Sequence, residues 1–67
     1  MRRYLVVIER AEHNYSGYLP DIPGCITTGE TPEEILQNMR EALELHLLDL
    51  SNEELPEPTS SADYVAI

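Results

Sequence analysis

Gly17-Tyr-Leu-Pro-Asp-Ile-Pro-Gly-Cys25 is the stretch that decides how this chain folds. Pro20 and Pro23 each lack a main-chain donor and fix φ, so neither residue suits the interior of a central strand. Gly24 follows at once and can adopt the positive φ that a sharp reversal requires. We interpret Pro20, Asp21, Pro23 and Gly24 as a structural elbow that sets the angle between the preceding strands and the following helix.

The size and charge of the chain limit what it can be. Its 67 residues allow one small core, which favours a homo-oligomer, either a dimer or a tetramer. The net charge of -9 argues against direct nucleic-acid binding and favours a basic protein partner. Cys25 is the single cysteine, and no run is apolar enough for a membrane span or a signal peptide. We therefore expect a cytoplasmic protein without a disulfide.

Three strands are predicted before the helix. Residues 3–10 contain the β-branched run typical of a strand, with apolar side chains on both faces. One face would be covered by the helix of the same chain, and the other, which carries Leu5 and Val7, by a second subunit. Turn-forming residues through Gly17 predict a hairpin loop, and strands are expected at 17–20 and 25–29.

The clearest local signal is the start of a helix predicted over residues 32–50. Thr31 suits the N-cap position, the next residue is proline, and Glu34 stands three residues after the cap. Leu45 and Leu48 lie away from the apolar face, and we assign them to an oligomer interface. That apolar face is formed by Ile35, Leu36, Met39, Ala42, Leu43, His46, Leu47 and Leu50.

A connector over residues 51–60 and a final strand over 61–67 complete the prediction. A right-handed crossover would place this last strand beside the first one and parallel to it. The expected fold is a two-layer α+β domain: a small mixed sheet, in the order β-β-β-α-β, with one helix packed on one face.

The sequence offers no positive case for catalysis. Glu9, Asp21 and Glu30 lie on or beside strands, but their spacing does not demand a metal site. His46 is read as a core histidine and Cys25 as a small packed residue. We expect no catalytic residue, no metal and no cofactor.

Several segments together resemble the N-terminal domain of HicB-type antitoxins: residues 4–9, 17–25, 28–34 and 38–47, and then Pro56–Pro58 and the closing stretch. The resemblance implies a reduced ribonuclease-H-like fold without its catalytic carboxylates. It also implies a partner, a small basic HicA-type toxin that cleaves mRNA and is inhibited by binding. Full-length members often carry a C-terminal DNA-binding segment, and we expect here a short form without one.

The acidic charge fits such a partner, because a protein of opposite charge approaches a basic toxin quickly and covers its RNA-binding surface. Our hypothesis for the partner-binding residues is Glu33, Glu34, Glu41 and Glu44. Two alternatives stay open. One is an orphan homo-oligomeric module, either small-molecule-binding or regulatory, whose ligand lies between subunits near the elbow. The other is a residual hydrolase using Glu9, Asp21 and a divalent metal.

Overall fold

Residues 2–48 and 55–67 are described in the computed structural model. They form three strands and one helix: β1 (Val7–Arg10), β2 (Tyr15–Tyr18), β3 (Ile26–Gly29) and α1 (Pro32–Leu47). The strands form one sheet in the order β1-β2-β3, with both pairings antiparallel. The helix packs against β3 and β2 on one face of this sheet. The predicted two-layer α+β class is confirmed, but the sheet is antiparallel and not mixed.

The strand bounds differ from the predicted ones because the hairpin is tighter and the elbow begins earlier. The Ala11 N–H donates to the carbonyl of Asn14 at 2.8 Å, so β2 begins at Tyr15 and not at residue 17. Pairing between β1 and β2 ends at Val7 opposite Tyr18, where the chain turns into the elbow. Residues 3–6 were predicted as the start of the first strand, but they have no neighbour in β2.

Gly17 lies in the middle of β2 and not in the hairpin loop that the sequence predicted. A Cβ atom at this position would stand 2.6 Å from Cγ2 of Ile35, which is fully buried under the sheet. The glycine therefore allows the helix to approach the sheet closely; it does not provide a turn. Its register partners Ile8 and Thr27 share this helix-facing side of the sheet.

The elbow closes on itself and supplies much of the core. Gly24 has φ of 83°, the positive value predicted for it. The Leu19 N–H donates to the Cys25 carbonyl at 3.1 Å, and the Ile22 N–H donates to the Leu19 carbonyl at 3.2 Å. Leu19, Ile22 and Cys25 are all buried against Met39 of α1. The Sγ atom of Cys25 lies 3.6 Å from the Sδ atom of Met39. The elbow segment thus contributes three of the side chains that are buried against the helix.

The start of the helix agrees with the prediction, whereas two of its apolar positions do not. The Thr31 hydroxyl accepts a hydrogen bond from the Glu34 N–H at 3.1 Å, and Pro32 is the first helical residue. Leu36 and His46 are exposed, although both were predicted on the inner face. Sixteen helical residues span about 24 Å and four-residue strands about 13 Å, so the end of α1 extends past the sheet. The predicted helical positions Asp49 and Leu50 lie outside the described residues.

The predicted last strand is wrong for the single chain. Residues 61–67 form no strand, and every one of them is exposed. The two residues before them, Thr59 and Ser60, are hydrogen-bonded to Asp21 in the elbow. The described part of the connector, residues 55–60, runs beside the N-terminal segment, where the Tyr4 hydroxyl donates to the Pro56 carbonyl at 2.6 Å. A ribonuclease-H-like arrangement stays a prediction.

Candidate functional site

The four glutamates predicted to bind a partner lie together on the outer face of α1. Successive residues of an α-helix are rotated by about 100°, which places Glu33, Glu34, Glu41 and Glu44 within an arc of roughly 100°. All four are exposed, and Ile35 and Met39 are buried on the opposite side. We call these four residues the acidic helix surface.

Two leucines interrupt this acidic helix surface. Leu45 is 68% exposed, and Leu48, directly after the helix, is 78% exposed. The same helical rotation puts Leu48 within the arc of the glutamates and Leu45 at its edge, about 20° beyond Glu34. The surface therefore combines negative charge with accessible apolar area at the C-terminal end of the helix.

The charges of the acidic helix surface are not neutralised within the described part of the chain. The ion pairs there are Arg2–Glu57 at 3.4 Å and the contact of His13 with Glu12 at 3.8 Å, and neither involves the surface. Glu41 and Glu44 line an open depression of about 520 Å³ together with Leu36, Gln37 and Arg40. Four carboxylates without internal partners create a negative field directed outward from the domain.

Most of the basic side chains lie together in a groove that was not predicted from the sequence. Arg2, Arg3 and Arg40, three of the four basic side chains, line one groove of about 320 Å³. The floor of this groove is apolar and is formed by residues such as Leu19 and Met39. No local pattern could reveal the cluster, because the fold brings Arg40 to residues that lie 37 or more positions earlier. Arg40 also lines the depression that contains Glu41 and Glu44, so the basic groove and the acidic helix surface meet at this residue.

Asp21 joins the elbow to the C-terminal part of the chain. Its Oδ2 accepts the N–H groups of Thr59 and Ser60, each at 3.1 Å. Its Oδ1 accepts the hydroxyls of Thr59 at 3.1 Å and Ser60 at 2.8 Å. These bonds, those from Ser60 above all, lower the pKa of Asp21 below its usual value of about 3.8, because they favour the charged carboxylate. We call this set of four bonds the Asp21 clamp.

The residues of the hydrolase alternative are not brought together as a metal site. Asp21 is engaged in its clamp, and Glu9 is exposed on β1. Among residues 2–48 and 55–67, no group of three or more His, Cys, Asp or Glu side chains could hold a metal ion. Cys25 is buried, and its burial raises the pKa of its thiol, which disfavours the nucleophilic thiolate.

The four residues predicted to form an oligomer interface lie on two sides of the domain. Register places Val7, Tyr18 and Ile26 in one row across the sheet face that α1 does not cover, and Leu5 belongs to the same side by alternation. Tyr18 is 41% exposed and Ile26 67%, so this face presents an apolar row. Leu45 and Leu48 lie on the opposite, helical side. One continuous interface therefore does not contain all four residues.

The helix that the structure describes is neither long nor apolar enough to cross a membrane. This finding concerns α1 only, since it is the one helix among the described residues.

Comparison with known proteins gives one consistent result. Residues 4–66 match the family described as the HicB-like antitoxin of bacterial toxin-antitoxin systems. A UPF0150 protein of Helicobacter pylori is 45% identical over 49 residues, which are 73% of this chain and 68% of that protein. A UPF0150 protein of Synechocystis is 39% identical over 67 residues, covering 98% of this chain and 88% of the relative.

A longer relative comes from a bacteriophage. The 14.9 kDa protein of the rep-hol intergenic region of Haemophilus phage HP1 is 33% identical over 64 residues. The match covers 92% of this chain but 48% of the phage protein. No solved structure matches the chain.

Proposed function

The chain belongs to the HicB-like antitoxin family of bacterial toxin-antitoxin systems, and from this premise we propose that it binds and inhibits a small basic toxin through the acidic helix surface. The observation that carries the proposal is the set of four exposed glutamates that form no ion pair with any of residues 2–48 and 55–67, with the exposed Leu45 and Leu48 beside them. The partner would be of the HicA type, which cleaves mRNA and needs a basic surface to hold its substrate.

Inhibition would be occlusion and not chemistry. A toxin that binds RNA presents cations to phosphate groups, and the carboxylates of the acidic helix surface would bind the same cations. Opposite charge speeds the encounter of the two proteins, and close apolar contact slows their separation. Leu45 and Leu48, which are exposed beside the glutamates, would supply that contact. The antitoxin then needs no catalytic residue, metal or cofactor.

Self-association forms part of the proposal. The uncovered sheet face with Leu5, Val7, Tyr18 and Ile26 offers apolar area to a second copy on the side away from the toxin. Because the two surfaces lie on opposite sides of the domain, a dimer could bind toxin with both helices. A tetramer would need a second kind of interface in addition.

The test is a titration of the purified chain with a HicA-type toxin at two salt concentrations. Replacing Glu41 and Glu44 with glutamine should weaken binding roughly fivefold to thirtyfold, since an exposed charge pair contributes about 0.5–1 kcal/mol. The salt dependence of the affinity should also become shallower. The matched control is the double substitution Glu9→Gln and Glu12→Gln, which removes the same charge from β1 and the hairpin loop.

Comparing the two double variants distinguishes toxin binding by the acidic helix surface from general attraction by net charge. Equal weakening by both would show that net charge alone attracts the toxin, and the assignment to α1 would be dropped. Absence of any toxin binding by the unmodified chain would instead favour the orphan module that binds a small molecule.

A further inference from the structure

Residues 61–67, which we call the tail, have the composition of a strand but no strand partner within the described part of the chain. The tail contains Tyr64, Val65 and Ile67, residue types that favour β structure, and it carries one acidic side chain and no basic one. In the single chain, Tyr64 is 98% exposed and Val65 is 88% exposed. A segment of this composition gains apolar burial and main-chain hydrogen bonds only when it joins another sheet.

Residues 3–6 are a second segment that has no partner in the sheet. Residues 3–6 precede β1 directly, but sheet pairing begins only at Val7 because β2 has already turned into the elbow. Beside residues 3–6 runs an open groove of about 320 Å³, lined by these four consecutive residues and by Ser60. A groove that follows four successive residues has the shape that an added extended strand requires.

The tail of the same chain does not occupy this groove. Ser60 lies at the groove and is fixed by the Asp21 clamp, and all seven residues after it are exposed. The tail therefore begins beside an empty strand position and leads away from it. In a two-fold arrangement, the two tails would cross near Ser60, and each would reach the groove of the other copy.

We propose that the tail of one copy lies in the groove beside residues 3–6 of a second copy, and that the exchange is reciprocal. Each tail adds a strand beside residues 3–6, so that the main-chain groups of both segments become paired. Charge supports the match, because Arg3 lines the groove and Asp63 is the acidic residue of the tail. This inference concerns the assembly of the chain alone and does not depend on the toxin.

The test measures the mass of the purified protein in solution by light scattering, without any toxin. The unmodified chain should have the mass of at least two copies. Val65→Asp places a charge in the middle of the tail and should reduce the mass by at least half. Its matched control, Leu36→Asp, places the same charge on an exposed apolar residue of α1 and should leave the mass unchanged.

Cross-linking between two different variants identifies the contact directly. A tagged chain with Arg3→Cys is mixed with an untagged chain with Val65→Cys, and a short bifunctional maleimide is added. Cys25 is buried and can stay in place. A tagged–untagged product is expected, whereas a tagged chain with Glu12→Cys should give at least tenfold less. Circular dichroism checks that each variant keeps the fold of the single chain.

Three results would overturn the proposal. They are a single-chain mass for the unmodified protein, dissociation by Leu36→Asp but not by Val65→Asp, and equal cross-linking of the Arg3→Cys and Glu12→Cys chains. Failure of the toxin titration would affect none of these measurements, so the two proposals can be refuted separately.

Discussion

The hydroxyl of Ser60 donates a 2.8 Å hydrogen bond to Oδ1 of Asp21, across 39 positions of the chain. With the bonds from Thr59 and from the two N–H groups, it makes the elbow the attachment point of the C-terminal part of the chain. The elbow thus has a long-range contact in addition to its local turn.

Replacing Asp21 with asparagine should release residues 59 and 60 without unfolding the sheet. The amide retains one acceptor oxygen, but its NH₂ group cannot accept the N–H groups of Thr59 and Ser60. We expect faster hydrogen exchange at these two amides and unchanged exchange in β1, β2 and β3. Glu12→Gln removes one negative charge from an exposed loop position and should change neither. Unchanged protection at residues 59 and 60 in the Asp21 variant would argue against the clamp.

Acid should open the clamp in the unmodified protein. The pKa of Asp21 is lower in the folded chain than its usual value of about 3.8, so ionisation of this group stabilises the folded state. That contribution is fully present above about pH 3.8 and is lost as the pH falls through the lower, folded value. Melting temperatures of the unmodified chain and of Asp21→Asn should therefore differ by a constant amount at pH 5 to 7. The difference should shrink below about pH 3.8.

Gly17→Ala should destabilise the domain by about 1–3 kcal/mol, the usual cost of adding a methyl group to a filled core. The new Cβ would stand 2.6 Å from Cγ2 of Ile35. Ile35→Leu removes that methyl branch, so the double variant should lose less stability than the sum of the two single ones. Urea titration of the four proteins measures this coupling. Strict additivity would show that the close approach is not the reason for the glycine.

Ile35→Ala and Leu45→Ala remove the same kind of side chain from the two sides of α1. Ile35 is fully buried, and its truncation should cost about 2–5 kcal/mol. Leu45 is 68% exposed, and its truncation should change stability by at most about 0.5 kcal/mol while weakening toxin binding. Urea denaturation and toxin titration of both variants check this difference. A large loss of stability in Leu45→Ala would place that side chain in a buried interface between copies.

The sequence was informative wherever a feature depends on neighbouring residues. The Thr31 cap, the first helical position of Pro32 and the positive φ of Gly24 all follow from local stereochemistry, and all three are present. The class of the fold and the exposed positions of the helix glutamates follow from periodicity for the same reason.

The failures concern partners that lie far apart along the chain. Residues 3–6 and 61–67 have the composition of strands, but composition does not say which segment pairs with which. The Asp21 clamp and the groove lined by Arg2, Arg3 and Arg40 bring together residues separated by more than thirty positions. A single sequence contains no local signal for such contacts. His46 was misplaced because periodicity cannot tell how far a helix extends beyond the sheet it covers.

The Asp21 clamp also implies a sequence of folding steps, in which the C-terminal segment docks after the local elements have formed. The hairpin turn, the elbow and the helix cap each join residues six or fewer positions apart, and such short loops close quickly. The clamp joins residues 38 and 39 positions apart, so its formation waits for the elbow to exist. The C-terminal segment should therefore dock last and open first. During synthesis, the sheet and the helix can form before that segment is available to bind.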